Sequence, residues 1–367
     1  MDPTSEEWRA RLTAWFTTQL SGEAEQVQIQ GLDRVALGHS AETMLLTLTW
    51  REQGRAQARD LVVRVRPPEP GLLEPYDLQR QFAILRALEA TAVRSPRVFW
   101  HDDSGDVLGR EFYVMERLPG TVYEQNLPDD LAQAPERLAR MSRSLVEQIA
   151  TIHLVDPVDA GLTFLGDGRD FLDRELTHWV GEMHRVQRGT LPALERLVAE
   201  LYRQRPAPSP RITLVHGDPK PGNFAFVDDE VNAVFDWELT TLGDPLADIG
   251  WAEVNWTTPG AFTNRPGALT VDEFVHHYEA LTGIEVVHRD WYRAFQGFKM
   301  VVIMLVGAML FDAGASDDLR LASMGMAVGT YTRPALTSLG VDDDIEPGPV
   351  TARQERVREV QERKATR

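Results

Sequence analysis

The chain contains no cysteine. That excludes a disulfide framework, a thiolate nucleophile and cysteine-bound zinc. A surplus of positive charge is missing too: 38 lysines and arginines face 56 aspartates and glutamates, a formal net charge of −18. Nucleic-acid surfaces work by neutralising phosphates with lysine and arginine, so no nucleic-acid partner is expected. Long apolar runs are also scarce. The richest, Met300 to Phe311, falls short of the roughly 18 residues of a membrane span and reads as a buried helix. No membrane partner is expected. The first residues, Met1-Asp2-Pro3-Thr4-Ser5-Glu6-Glu7, are acidic and lack the basic-then-apolar order of a secretory signal. The expected location is cytoplasmic. No His-Glu-x-x-His pattern supplies a zinc site.

What remains is an ordinary globular composition, 43% hydrophobic and 26% charged. A length of 367 residues is more than one core usually covers, which predicts two lobes. The acidity would attract a cationic substrate, although simple solubility is the favoured explanation. Sequence says nothing about oligomeric state.

The most informative stretch is residues 216–236. It reads His216-Gly217-Asp218-Pro219-Lys220-Pro221-Gly222-Asn223, then a short apolar hairpin, then Asp236-Trp237-Glu238. The runs Arg211–Val215, Asn223–Val227 and Val231–Phe235 are short, apolar and β-prone, with Asp228-Asp229 as a turn. Asp218 is therefore expected on a loop after a strand, Asn223 at the start of the next strand and Asp236 at the end of the one after. A hairpin brings its ends together, so Asn223 and Asp236 are expected to face one site. The residue types suit phosphoryl transfer, where catalysis is mostly positioning and neutralisation of charge by a divalent cation. Magnesium takes oxygen ligands, which an Asn223 amide and an Asp236 carboxylate provide. Asp218 would accept, or simply orient, the proton of an attacking hydroxyl. An Asp-x-x-x-x-Asn spacing alone would be weak, since such residues mostly cap turns.

The string His216-Gly217-Asp218-x-x-x-x-Asn223 followed by Asp236-Trp237-Glu238 resembles the Brenner-type motif of the aminoglycoside phosphotransferase and choline kinase-like family, within the protein-kinase-like superfamily. The continuation Leu242-Gly243-Asp244-Pro245-Leu246-Ala247-Asp248-Ile249-Gly250-Trp251 resembles the subgroup that includes kinase-like domains fused to acyl-CoA dehydrogenases. The resemblance spans roughly residues 30 to 310 and is most specific from 214 to 251. It implies an α+β, bilobal protein-kinase-like fold, with a small β-rich N-lobe and a larger, mainly helical C-lobe. The expected divisions are 1–118 for the nucleotide-binding lobe, 119–350 for the catalytic and substrate lobe, and 351–367 for a charged tail. His216, His153, Asp244 and Asp248 are expected to brace the catalytic loop.

In the amino-terminal third, a helix is expected over Trp8–Leu20 and strands near Val27–Gln30, Met44–Trp50 and Leu61–Arg66. By the resemblance, the loop Leu37 to Thr43 approaches ATP phosphates through backbone amides near Gly38 and Ser40. Arg64 stands at the position of the usual phosphate-clamping lysine, with Arg66 as its rival. Gln81, on a helix expected over Tyr76–Glu89, stands where a glutamate is usual. It cannot form the usual ion pair, so the clamp is weakened or moved to another carboxylate such as Glu42 or Glu74. Glu116, Arg117 and Leu118 follow a strand and are expected to meet the adenine through backbone groups.

The resulting expectation is an ATP- and Mg2+-dependent phosphotransferase acting on a small hydroxylated substrate, with GTP as an alternative donor. The acceptor is an aminoglycoside, a hydroxyacyl thioester or another alcohol. The alternatives are a nucleotide-binding pseudokinase, suggested by Arg64 and Gln81, and a metallophosphoesterase, which would need a histidine-rich ligand set. Trp256, Tyr278, Trp291, Tyr292, Phe295 and Lys299 are candidates for the acceptor pocket, and so is a cluster of Asp170, Arg174, His178, Trp179, His184 and Arg185. Either group is as readily core or surface. The tail from Thr351, with six basic residues among three glutamates, reads as a solvated helix or a loose tail.

Overall fold

The structure is a computed structural model that describes residues 6–20, 22–35, 42–124, 127–187, 189–325, 328–342 and 354–365. In chain order, the elements of the first part are α1 (Glu6–Gln19), β1 (Ala24–Arg34), β2 (Glu42–Glu52), β3 (Arg55–Val65), α2 (Leu78–Leu88), β4 (Val98–Asp102), β5 (Phe112–Glu116) and β6 (Thr121–Val122). Then come α3 (Asp129–Ala132), α4 (Pro135–His153), α5 (Phe171–Val186), α6 (Pro192–Arg203), β7 (Thr213–Val215), β8 (Phe224–Val227), β9 (Glu230–Val234) and β10 (Thr241–Gly243). The rest is helical: α7 (Leu246–Trp256), α8 (Val271–Thr282), α9 (Arg289–Asp312), α10 (Leu319–Met324), α11 (Val328–Ser338) and α12 (Gln354–Ala365). Two compact units result, one of Met1–Thr121 with Ala225–Glu238, the other of Val122–Phe224 with Leu239–Arg367.

The first unit is built on an antiparallel sheet of order β1-β2-β3-β5-β4. Strand β2 alternates buried and half-buried positions from Met44 to Trp50, the period expected when one face meets a core. A tight turn with positive φ at Gln53 and Gly54 joins β2 to β3. Helix α1 lays Trp8, Leu12 and Phe16 on the buried face, where Trp15 meets the Phe112 ring edge-on at 4.8 Å. Helix α2 starts where the Asp77 side chain accepts from the Arg80 N–H at 2.8 Å. Its buried stripe is Leu78, Gln81, Ile84, Leu85 and Leu88, so the one polar member, Gln81, points inward.

The β8–β9 turn has Asp228 and Asp229 at φ of 51° and 67°, so the residues read as a turn form it in the left-handed geometry hairpins favour. The returning segment is tied to the first unit by the Val234 N–H on the Arg94 carbonyl at 2.7 Å and by Asn232 Nδ2 on the Pro119 carbonyl at 2.9 Å.

The second unit is helical around α9. This helix passes a length and composition test for a membrane span, yet 72% of its apolar window is inside the protein, so it is a core helix. Helix α7 packs on it closely because Gly250 has no side chain: a Cβ there would lie 2.8 Å from the Tyr292 backbone. Across this contact Trp251 of α7 lies beside Lys299 of α9. The tail is not merely solvated. Arg356 of α12 binds the Phe311 carbonyl and pairs with Asp317, and Val360 is buried.

Candidate phosphotransferase site

In the second unit the loop after β7 is held from below by one carboxylate. Asp248 accepts the His216 N–H at 2.7 Å and the Gly217 N–H at 2.8 Å. It also faces His153 Nε2 at 3.0 Å, while His153 Nδ1 meets the Tyr278 hydroxyl at 2.7 Å. Burial alone would push Asp248 up, but the bonds from His153 and Gly217 outweigh it and hold it below the usual carboxylate range. Burial pushes the Tyr278 hydroxyl well above its ordinary range, so it remains protonated. Asp244 does similar work, accepting from the Ser209 and Leu246 backbones and from the Tyr292 hydroxyl at 2.6 Å.

With the backbone fixed, Gly217 turns the chain at φ 87°, where a Cβ would meet Leu239 at 2.6 Å. Asp218 follows, 8% exposed, and three donors converge on its carboxylate. Trp251 Nε1 donates to Oδ1 at 2.6 Å, Asn223 Nδ2 donates to Oδ2 at 2.9 Å, and Lys220 Nζ lies 3.0 Å from Oδ2. Asn223 Nδ2 also donates to the Asp218 carbonyl at 2.8 Å, which commits its amide nitrogen to Asp218. Asn223 closes a 3-10 turn, Pro221–Asn223, instead of opening the strand; Pro221 and the return bond from Asn223 N to the Lys220 carbonyl fold this piece into a turn.

In the first unit, Arg64 lies between Thr43 of β2 and Tyr113 of β5 in the sheet register. Its guanidinium donates to Thr43 Oγ1 at 3.1 Å, bonds Tyr113, and pairs with Asp236 Oδ1 at 3.3 Å. Burial would push Arg64 down, but Tyr113, Asp236 and Glu238 outweigh it and raise it above its ordinary value. Asp236 has φ 67°, a left-handed backbone that non-glycine residues seldom adopt, and it lies two residues beyond β9. The Tyr113 hydroxyl donates to Gln81 Oε1 at 3.4 Å, so Gln81 acts on Arg64 through Tyr113.

A family model for the phosphotransferase enzyme family matches residues 34–295, well over half of the chain. The chain belongs to that family. Acyl-CoA dehydrogenase family member 10 of Mus musculus is 30% identical over 263 residues, covering 68% of this chain and 24% of that protein. Acyl-CoA dehydrogenase family member 11 of Rattus norvegicus is 29% identical over 273 residues, covering 70% of this chain and 35% of that protein. This phosphotransferase-family chain thus spans only about a quarter to a third of these relatives. Among solved structures, a Ralstonia eutropha protein named provisionally as an aminoglycoside phosphotransferase superposes with a TM-score of 0.72 at 24% identity, covering 90% of this chain and 98% of that one. Aminoglycoside phosphotransferase APH(4)-Ia, in ternary complex with ADP and hygromycin B, gives 0.57 at 14% identity, covering 91% and 99%. The fold is therefore protein-kinase-like, α+β, with a β-rich amino-terminal part and a helical carboxy-terminal part.

Several expectations change. The carboxylate paired with Arg64 is Asp236, not Glu42 or Glu74: Glu42 pairs with Arg110 at 2.7 Å, and Glu74 accepts from the Gly71 N–H. Arg66, beyond the end of β3, pairs with Glu69 at 2.9 Å and stands 3.7 Å from Glu111. Trp256, Tyr278, Trp291, Tyr292 and Phe295 are core residues, and the indole N–H groups of Trp256 and Trp291 are spent on the carbonyls of Leu269 and Leu201. Of the α5 cluster, Arg174, His178, His184 and Arg185 are exposed and only Trp179 is buried. Gly38 and Ser40 lie outside the described residues. The Glu116 N–H is spent on the Arg97 carbonyl and that of Arg117 on the Asp60 carbonyl, so both backbone donors are already engaged within the first unit. Sequence reasoning missed Trp251 as a partner of Asp218 and Tyr113 as a partner of Arg64. Trp251 lay within the specific stretch 214–251, whereas nothing in the sequence singled out Tyr113.

Proposed function

We propose that this protein transfers the γ-phosphoryl group of ATP to a hydroxyl of a small molecule, with magnesium as the accompanying ion. The observation that carries this reading is the convergence of Trp251, Asn223 and Lys220 on the Asp218 carboxylate. A carboxylate held by three donors keeps one orientation, which positioning of an acceptor hydroxyl requires. In the reaction, the acceptor oxygen forms a bond to the γ-phosphorus and the bond from that phosphorus to the β–γ bridging oxygen breaks. ADP leaves with the bond electrons, and the hydroxyl proton passes to Asp218.

Arg64 is assigned to the phosphates, where its planar fork matches their oxygens. The backbone near Gly38 and Ser40 is assigned to the same phosphates, and Glu116 with Leu118 to the adenine. Asn223 and Asp236 are assigned to magnesium. Their chemistry fits: an amide oxygen and a carboxylate are hard donors, and the Asn223 nitrogen is already committed to Asp218. Among the described residues no group of three or more His, Asp or Glu forms an all-protein metal cage. A magnesium that shares its shell with nucleotide oxygens needs only one or two protein ligands. When bound, the ion neutralises charge on the β- and γ-phosphate oxygens.

The likeness to acyl-CoA dehydrogenase family members supports testing a hydroxyacyl thioester first, ahead of aminoglycosides and other alcohols. A second reading, a nucleotide-binding pseudokinase, is supported by the Arg64–Asp236 pair, which occupies the carboxylate assigned to the metal. One experiment separates them. Nucleotides and hydroxylated metabolites are screened by thermal shift, and those that stabilise the protein are assayed for ADP formation. Acceptor-dependent ADP release supports the transferase; nucleotide binding without turnover across the panel leaves the pseudokinase.

A further inference from the structure

Lys299 is 4% exposed in the middle of the core helix α9. Its ammonium donates to the Gly217 carbonyl at 3.1 Å and stands 4.9 Å from the Trp251 ring centre and 5.3 Å from that of Trp179. Among the described residues no carboxylate pairs with it. Burying an ammonium without a counter-ion is costly, and a methionine of similar length would fill the same space without that cost. Core packing therefore does not explain the charge.

The groups it touches do. Gly217 is the residue before Asp218, and Trp251 is the donor to Asp218 Oδ1 at 2.6 Å. An ammonium over an indole face is attracted to the ring electrons, and drawing them toward the cation makes the indole N–H a stronger donor. The same ammonium pins the carbonyl at a left-handed glycine, where the backbone has no side chain to fix it.

We propose that Lys299 is a positioning residue for Asp218, acting through the Gly217 carbonyl and through the Trp251 indole. The inference rests on the reading of Asp218 as the residue that orients the acceptor hydroxyl. It gives α9 a task in the reaction besides forming the core.

The test compares Lys299→Met and Lys299→Arg with the parent. The readouts are kcat, nucleotide Kd and the Trp251 Nε1–H resonance, assigned by its loss in Trp251→Phe. Lys299→Met should fold, bind nucleotide as the parent does, and lose kcat by about 100-fold, the scale of a misplaced reacting group. Its Trp251 resonance should move upfield as the bond to Asp218 weakens, and Lys299→Arg should restore part of both signals. A folded Lys299→Met with the parent's kcat and resonance overturns the proposal. Should that variant not fold, Lys299→Gln decides: loss of kcat with parental nucleotide binding and a shifted Trp251 resonance supports the proposal, and parental kcat and resonance overturn it. If the parent itself shows no turnover, the functional reading falls, and the resonance alone then decides the role of Lys299.

Discussion

Asp218 and Arg64 are both largely buried charged groups, and they are held in opposite ways. Asp218 is met by a tryptophan, an asparagine and a lysine, all within 33 residues along the chain. The two residues before it, His216 and Gly217, are anchored in turn through their N–H groups on Asp248, in the first turn of α7. Arg64 is met by neighbours on its own sheet and by one carboxylate, Asp236, 172 residues away in sequence. A phosphate offers the guanidinium the same kind of charge-assisted acceptor as the single carboxylate it meets, so Arg64 can exchange Asp236 for phosphate oxygens without being left unpaired. The difference teaches a division of labour: a fixed cradle around the group assigned to the chemistry, and an exchangeable clamp around the group assigned to the anion.

The comparison can be broken from either side. Asp218→Asn keeps the shape and one acceptor but loses the proton acceptor; kcat should fall by about 1,000-fold, within the range of general base catalysis, with nucleotide affinity nearly unchanged. Steady-state assays and calorimetry check this. Asp248→Asn attacks the cradle's foundation and should cost about 3 kcal/mol of stability, the scale of breaking a buried charged pair. Because Asp248 sits below its ordinary value of 3.8 in the folded protein, its contribution is present above that pH and is lost as pH falls through the folded value. Urea unfolding across the acid range should therefore show a shallower pH dependence in Asp248→Asn than in the parent. Glu253 has the opposite sign: burial pushes it above 4.5, so its contribution is full below 4.5 and is lost as pH rises through the folded value.

On the clamp side, effects should be smaller and confined to nucleotide binding. Arg64→Met should raise the ATP KM about tenfold, the worth of one charged hydrogen bond, and Arg64→Lys should recover part of it. Tyr113→Phe, which removes one bond to Arg64 and the link to Gln81, should raise the KM by about threefold. Equal losses of kcat in the Asp218 and Arg64 variants would erase the proposed division.

How much was legible follows the same contrast. The loop, the hairpin and its Asp228-Asp229 turn could be read because their partners are close in sequence and their residue types are restrictive. The bracing role of His153 was readable through the family resemblance, and those of Asp244 and Asp248 from the habit of loop aspartates to accept from nearby backbone N–H groups. What could not be read depends on contacts that only folding creates. The exchange of a carboxylate from α2 for Asp236 beside Arg64 was invisible, since Gln81 signals what is missing and not what replaces it. The aromatic residues of α7, α8 and α9 carry no mark distinguishing core from pocket, so Lys299 was grouped with five residues that turned out to be interior. The strands run several residues beyond their apolar stretches because β2 and β3 pair without interruption from Glu42 opposite Val65 to Glu52 opposite Arg55.

The central claim is that Asp218 serves the chemistry while Asp236 serves the metal-bound nucleotide. Calorimetric titration of ATP with and without magnesium, into Asp218→Asn and Asp236→Asn, tests it most directly. The account predicts that Asp218→Asn binds ATP as the parent does, with the same gain from magnesium, and that Asp236→Asn loses that gain. An Asp236→Asn protein that keeps the full magnesium effect, or an Asp218→Asn protein that no longer binds ATP, would contradict it.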